Sequence, residues 1–190
     1  MTEPVAFILA VIALLATPGP TNTLLLTAGS TKGIRALQLI PAEISGYLIS
    51  ILTIGYVVAK LFSESYMITA GLRAVAAAYL FFLAIQLWRR SPTMLVQRRL
   101  ISFRDVFVTT LLNPKALLFA TGIIPLNDPQ AATYLLAFCL LVSVIGSAWI
   151  TVGVIVARGF LVKAHISLLP RVSAVVLAGF ASYLVALQFR

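Results

Sequence analysis

The sequence predicts an all-α integral membrane protein: six transmembrane helices arranged as two inverted three-helix repeats, with the first helix of each repeat broken at proline. Three observations carry this prediction. Of 190 residues, 61% are hydrophobic and 10% charged, with a mean hydropathy of +1.07, whereas soluble domains average about 45–50% apolar and about 25% charged. The apolar residues fall into six long runs. Proline-containing motifs interrupt the first and fourth runs near their middles.

A helix crossing a hydrocarbon layer of roughly 30 Å needs about 20 residues, so six spans leave room only for short connections. The runs lie at 4–28, 37–59, 67–88, 106–125, 131–157 and 168–189. Helices satisfy their own backbone groups in lipid, so apolar runs of this length read as spans. A β-barrel would show apolar–polar alternation in segments of about ten residues, and residues 5–16 show none. The chain reads as one membrane domain, 1–190, with halves 1–90 and 104–190 joined by a basic loop over 89–104. Met1-Thr2-Glu3-Pro4 lacks the basic start of a secretory signal, so the first run is expected to be retained as a span.

The net charge of +9 would suggest a nucleic-acid partner in a soluble protein, but the basic residues lie between apolar runs rather than on a polar fold. The connections after the first, third and fifth runs hold Lys32 and Arg35; Arg89, Arg90, Arg98, Arg99 and Arg104; and Arg158, Lys163 and Arg171. The other side holds Lys60, Arg73 and Arg190. This excess places the first three connections in the cytoplasm and both termini outside, in a multi-pass protein of the cytoplasmic (inner) membrane. Cys139 is the single cysteine, which excludes an intrachain disulfide or a CxxC redox pair and reads as a small core residue.

Thr17-Pro18-Gly19-Pro20 breaks span one and Asn113-Pro114-Lys115 breaks span four. A proline inside a helix removes one backbone bond and clashes with the carbonyl four residues earlier, so the carbonyls of Leu14, Ala16 and Thr110 are expected to be freed. Such backbone is tolerated at membrane depth only inside protein or along a watery cavity. Three spans per half make the second half inverted, and proline-interrupted segments at matching places in two halves point to a transporter's binding site. Leu83-Ala84-Ile85-Gln86-Leu87 and Val185-Ala186-Leu187-Gln188-Phe189 end spans three and six as a weak echo of the repeat.

Of the five acidic residues, Glu3, Glu64, Asp105 and Asp128 fall at span ends or in loops, whereas Glu43 lies about two turns into span two. Lys115 is the base nearest a span centre. A mid-membrane charge costs at least about 2.5–3.5 kcal/mol on insertion scales, which makes it a functional candidate. Glu43 is therefore expected as proton or substrate-amine partner and Lys115 as its companion. The bland alternatives are an interfacial carboxylate for Glu43 and a snorkelling or structural lysine for Lys115. Arg73 is expected to snorkel and His165 to be a solvated loop histidine. Tyr47, Tyr79, Trp88, Trp149 and Tyr183 read as packing or belt aromatics. Ser143, Gly146, Ser147 and Gly153 suit close helix packing.

With these motifs in hand, the chain resembles the lysine exporter / homoserine-threonine resistance (LysE/RhtB) family of amino-acid exporters. The resemblance rests on Thr17-Pro18-Gly19-Pro20, on Gly33 in the following basic turn, on Ala77-Ala78-Tyr79-Leu80, and on Leu111-Leu112-Asn113-Pro114-Lys115-Ala116-Leu117-Leu118-Phe119 ending at Pro125. It implies six spans and export of amino acids or close derivatives driven by the proton or electrochemical gradient. The family has asparagine directly after the first motif, whereas Thr21 precedes Asn22 here. Glu43 belongs to no family motif and rests on the physical argument alone.

The expected mechanism is that of a secondary exporter. Freed carbonyls with Thr17, Thr21, Asn22 and Asn113 would hold an ammonium and neutral polar groups. Lys115, or the half-helix N-terminus after Pro114, would attract a carboxylate. One three-helix half would rock against the other. The expected partners are a small-molecule substrate and the bilayer, with no nucleic acid and no cofactor; a homo-oligomer is left open. A scaffold subunit would lack paired breaks and mid-membrane charges. A membrane-embedded enzyme would need convergent catalytic groups inside the spans, and the single histidine lies in a loop.

Overall fold

The computed structural model describes residues 4–62, 71, 74, 77–78, 81–82, 84–85, 88–89, 100–159, 175, 178–179, 181–182 and 185–186. Their regular structure is helical, with no strand among them. In chain order it comprises α1 (Pro4–Ala16), α2 (Pro20–Lys32), a 3-10 helix (Gly33–Leu39), α3 (Ile40–Phe62), α4 (Phe103–Leu111), α5 (Lys115–Leu118) continuing as a π-helical turn (Phe119–Ile123), and α6 (Ala131–Ala157).

Helix lengths match a bilayer. At 1.5 Å per residue, the 27 residues of α6 run about 40 Å and the 23 of α3 about 35 Å. Among the described residues, Pro20–Val57 and Ala131–Ala157 are long and apolar enough to cross a membrane. Phe103–Leu111 and Lys115–Ile123 qualify as a pair bent by 50°, and α1 is a shorter apolar helix. The runs at 67–88 and 168–189 lie largely outside the described residues. Their described positions are helical, and Ala77, Ala84 and Ala181 are buried in the main core.

Local sequence explains where the elements stop and start. Gly19 is extended (φ −150°, ψ −178°) and Pro20 opens α2, a position where the missing N–H costs nothing because it would be unpaired anyway. Gly33, at φ 60°, turns the chain out of α2 in a region that favours glycine. At α4, the Ser102 hydroxyl accepts from Asp105 N at 3.2 Å while Asp105 Oδ2 accepts from Ser102 N at 2.9 Å. This reciprocal cap starts the helix at Phe103, three residues earlier than apolarity predicts, and gives the expected span-end acid Asp105 a structural task. Pro125 disfavours helix at the preceding residue, and Ile124 is accordingly extended (φ −86°, ψ 118°).

Among the described elements, the closest packing joins helices from the N-terminal part of the chain to helices that follow residue 100. α2 lies along α6, and α3 along α4. Each contact depends on glycine as a gap. A Cβ at Gly29 would fall on the Ile150 carbonyl, and one at Gly153 on the Leu26 carbonyl, so α2 and α6 touch backbone to backbone at two reciprocal points. A Cβ at Gly46 would lie 2.9 Å from Phe107 O and from Thr110 Cβ, which brings α3 against the C-terminal half of α4. Small residues serve helix association in lipid because no hydrophobic force separates helix from tail there. Lys32 Nζ donates to Ile101 O at 2.6 Å, tying the connection after α2 to the start of α4.

This clamp predicts that Gly153→Val lowers stability by at least about 1–3 kcal/mol through overpacking. Thermal unfolding in detergent should show the drop, while Thr151→Ala, exposed on the same helix, should change it little.

Candidate functional site

The two helix breaks meet. Breaking α1 leaves carbonyls on the buried residues Leu14, Leu15 and Thr17, and the sequence supplies donors for them. Leu14 O, released by Pro18, accepts from Thr17 N at 3.3 Å and from the Thr17 hydroxyl at 2.6 Å. Thr110 O, released by Pro114, accepts from Asn113 N at 3.0 Å. These two carbonyls, expected to be open to a ligand, are re-used within a turn, because an unpaired carbonyl in lipid costs several kcal/mol. Asn22 Nδ2 reaches back to Leu15 O and Thr17 O, both at 2.7 Å. Thr17 O also accepts from Lys115 Nζ at 2.6 Å. A carbonyl oxygen has two lone pairs, so that of Thr17 is filled, once by its own break and once by the other.

The break before α5 is equally well satisfied. Lys115 N donates to Asn113 Oδ1 at 3.0 Å, Ala116 N to Asn113 O at 2.9 Å and Leu117 N to Pro114 O at 3.1 Å. With these N–H groups paired and α5 only four residues long, the half-helix N-terminus after Pro114 offers no open seat for an anion, contrary to the expectation from sequence. Asn113 instead links the breaks: its Nδ2 donates to Thr21 Oγ1 at 3.0 Å and, more weakly, to the Tyr47 hydroxyl at 3.4 Å. The hydroxyls of Thr110 and Thr21 are 3.2 Å apart. Thr110 gives its proton to Val106 O at 2.8 Å, so Thr21 is the donor between them. The adjacent polar residues thus divide the work. Asn22 caps α1, and Thr21 faces the second break.

Two opposite charges lie beside this network. Lys115 is 3% exposed and Glu43 1%. Lys115 uses one of its three N–H groups on Thr17 O, its acceptor among the described residues. Glu43 Oε2 is buried with no hydrogen-bond partner. The charges attract each other, yet no ion pair joins them. Glu43 sits in the first turn of α3, where the 3-10 helix joins α3 to α2 within the candidate span Pro20–Val57. Its carboxylate is buried rather than solvated, and lies against Gly146 of α6, with Leu25 of α2 beside the same gap.

Other expected positions are less central. Pro18, Gly19 and Pro114 are half-buried and shape the backbone, while Pro20 faces outward. Gly19 lies under Lys115, whose Cε and Nζ would be 3.4 Å from a Cβ there. Tyr47 is, from sequence, a packing aromatic. It does stack edge-on with Phe119 and Phe138 at 5.7 Å, but its hydroxyl also reaches the site. The available signal was its place one turn after Glu43, on the same helix face. Thr110, read only as a freed carbonyl, contributes its side chain. Arg73, Tyr79, His165 and Tyr183 lie outside the described residues, as does most of the repeat echo. Among the described residues, no group of three or more His, Cys, Asp or Glu gathers as a metal site would require.

Apolar helices of bilayer length, two of them broken and joined through buried polar groups, define a helical membrane protein with a polar centre. The family model of the LysE type translocators matches residues 12–188, and the chain belongs to that family. It is therefore a membrane transport protein, as the resemblance of its proline motifs implied. No solved structure matches the chain.

Asn22→Leu keeps the side chain's size but leaves the carbonyls of Leu15 and Thr17 short of a donor. It should destabilise the protein by about 1–3 kcal/mol, read as a lower unfolding temperature in detergent. Asn22→Asp, which has acceptors where donors are needed, should do no better.

Proposed function

We propose that this translocator is a secondary exporter of amino acids or closely related metabolites, and that the meeting point of the two breaks binds them. The observation that carries this reading is a pair of buried opposite charges that do not meet. Lys115 has N–H groups to spare, and Glu43 Oε2 is an acceptor without a donor. A zwitterion between them supplies both missing partners: its carboxylate takes the unused Lys115 donors and its ammonium takes Glu43. Buried polar groups left unpaired are costly, so these two side chains favour a ligand of that charge pattern. Thr21, Asn113 and Tyr47 form the neighbouring polar network and suit the substrate's neutral polar atoms.

For the ammonium, this assignment differs from the one expected from sequence. Freed carbonyls were expected to hold the ammonium, but those of Leu14 and Thr110 are internally paired and that of Thr17 is filled. Ala16, the third residue whose carbonyl was expected to be freed, is exposed, so the buried acceptor left is Glu43. Coupling follows from the same group. Acid on the outer side protonates the carboxylate and releases the amine there, and the proton travels inward on the return. The moving bodies in this reading are the cross-half pairs α2–α6 and α3–α4, since rocking intact halves would tear the glycine contacts between them.

Counterflow in proteoliposomes against a panel of amino acids, with and without a pH gradient, tests the function. The wild-type protein should accumulate at least one of them and respond to the gradient. No accumulation of any amino acid or derivative would sink the reading. Glu43→Gln should raise the half-saturation concentration at least tenfold, equivalent to about 1.4 kcal/mol, and flatten the pH dependence. Lys115→Gln should weaken binding comparably while keeping a donor for Thr17 O. Overexpression should protect cells from toxic amino-acid analogues, a protection that a scaffold subunit would not give.

A further inference from the structure

Gly146 stands apart from the other glycines of the helix contacts. At Gly29 and Gly153 an added Cβ would strike a carbonyl of the facing helix, so those residues serve helix approach. At Gly146 it would strike no backbone. It would fall on Oε2 of Glu43, with Ile40 Cδ1 at 2.8 Å and Leu25 Cδ1 at 3.4 Å. The gap in α6 is therefore filled by a carboxylate, and by the one buried side-chain oxygen among the described residues that has no hydrogen-bond partner. Leu25 and Ile40 wall the sides of this gap with methyl groups, so a displaced carboxylate would meet apolar surface and no new donor.

We propose that Gly146 is a positioning residue for recognition of the substrate's amino group: its missing side chain lets the Glu43 carboxylate lie against α6, where it meets the ammonium. The inference rests on the reading of Glu43 as counter-charge to the amine. It goes beyond that reading in assigning substrate selection to a residue with no side chain of its own. It also links the amine to α6, and through the Gly29 and Gly153 contacts to α2. A methyl group at 146 would push the carboxylate away. A carboxylate shorter by one methylene would fit again.

The test is a size-compensation experiment in proteoliposomes, using the amino acid that the wild-type protein accumulates best. Gly146→Ala should raise its half-saturation concentration at least tenfold, with the maximal rate changed less than threefold. Adding Glu43→Asp to Gly146→Ala should recover most of that loss, although Glu43→Asp alone impairs binding. In a Glu43→Gln background, Gly146→Ala should add less than a threefold effect, because the amine contact is already gone. Equal losses with and without Glu43→Gln would mean that Gly146 acts by packing, and would overturn the proposal. If Gly146→Ala does not fold, the double variant decides: recovery of folding and of amino-acid affinity on adding Glu43→Asp supports the proposal, and no recovery overturns it. A normal Glu43→Gln protein would remove the underlying reading, whereas a normal Gly146→Ala protein beside a defective Glu43→Gln protein would remove this inference alone.

Discussion

The carbonyl oxygen of Thr17 is the point on which the centre of this protein depends. It is the end of a helix that stops in the buried interior of the protein, where protein groups must pair it. Asn22, from the helix that resumes after the break, fills one lone pair. Lys115, from the other broken segment, fills the second. One backbone atom therefore holds both fragments of the first break and joins that break to its counterpart. The link is also electrostatic. The C-terminal end of α1 carries the negative pole of the helix, and a cation is stabilised there.

That attachment explains how two opposite charges can be buried near one another and stay apart. A buried ion pair made directly is satisfied and inert, and breaking one later costs about 3–5 kcal/mol. Holding the ammonium on a helix end instead gives Lys115 partial compensation and leaves Glu43 without a partner. The aromatic cluster of Tyr47, Phe119 and Phe138 packs against this centre. Glycines fix the frame: Gly46 brings α3 onto α4, and Gly29 and Gly153 lock α2 to α6. The polar groups converge because the helices that carry them cannot slide apart without opening backbone contacts.

Much of this was legible in the sequence, for reasons that differ residue by residue. Pro18, Gly19, Pro20 and Pro114 announce the breaks because proline's effect on a helix is local and needs no knowledge of the fold. Glu43 and Lys115 stand out because charge in an apolar run is costly wherever the run ends up. The fate of the freed carbonyls was not legible. Whether Leu14 O or Thr110 O finds a donor depends on how sharply the chain turns in the next three residues. The roles of Thr21 and Asn22 could not be separated either, since neighbouring residues point in different directions and only the position of the second break decides between them. Tyr47 looked like any buried aromatic, because its hydroxyl gains meaning from Asn113, which is 66 residues away in sequence. The start of α4 was misplaced because a cap made by Ser102 and Asp105 is polar, and hydropathy does not see it.

The charges also constrain how a cycle of the proposed kind could be driven. With a zwitterion bound, Lys115, Glu43 and the substrate sum to no net charge, so the loaded carrier crosses without regard to the membrane potential. After release, protonated Glu43 beside charged Lys115 leaves one net positive charge to be carried back. A potential negative inside pulls that form inward, and a proton gradient acidic outside fills it. Both components of the proton-motive force then act on the empty carrier, and neither opposes the loaded one. An ionised Glu43 with nothing bound would instead return without charge and waste no gradient, but it would also couple to none. On this account the unpartnered oxygen is the coupling element, because it can be satisfied on the outward path by an amine and on the return by a proton.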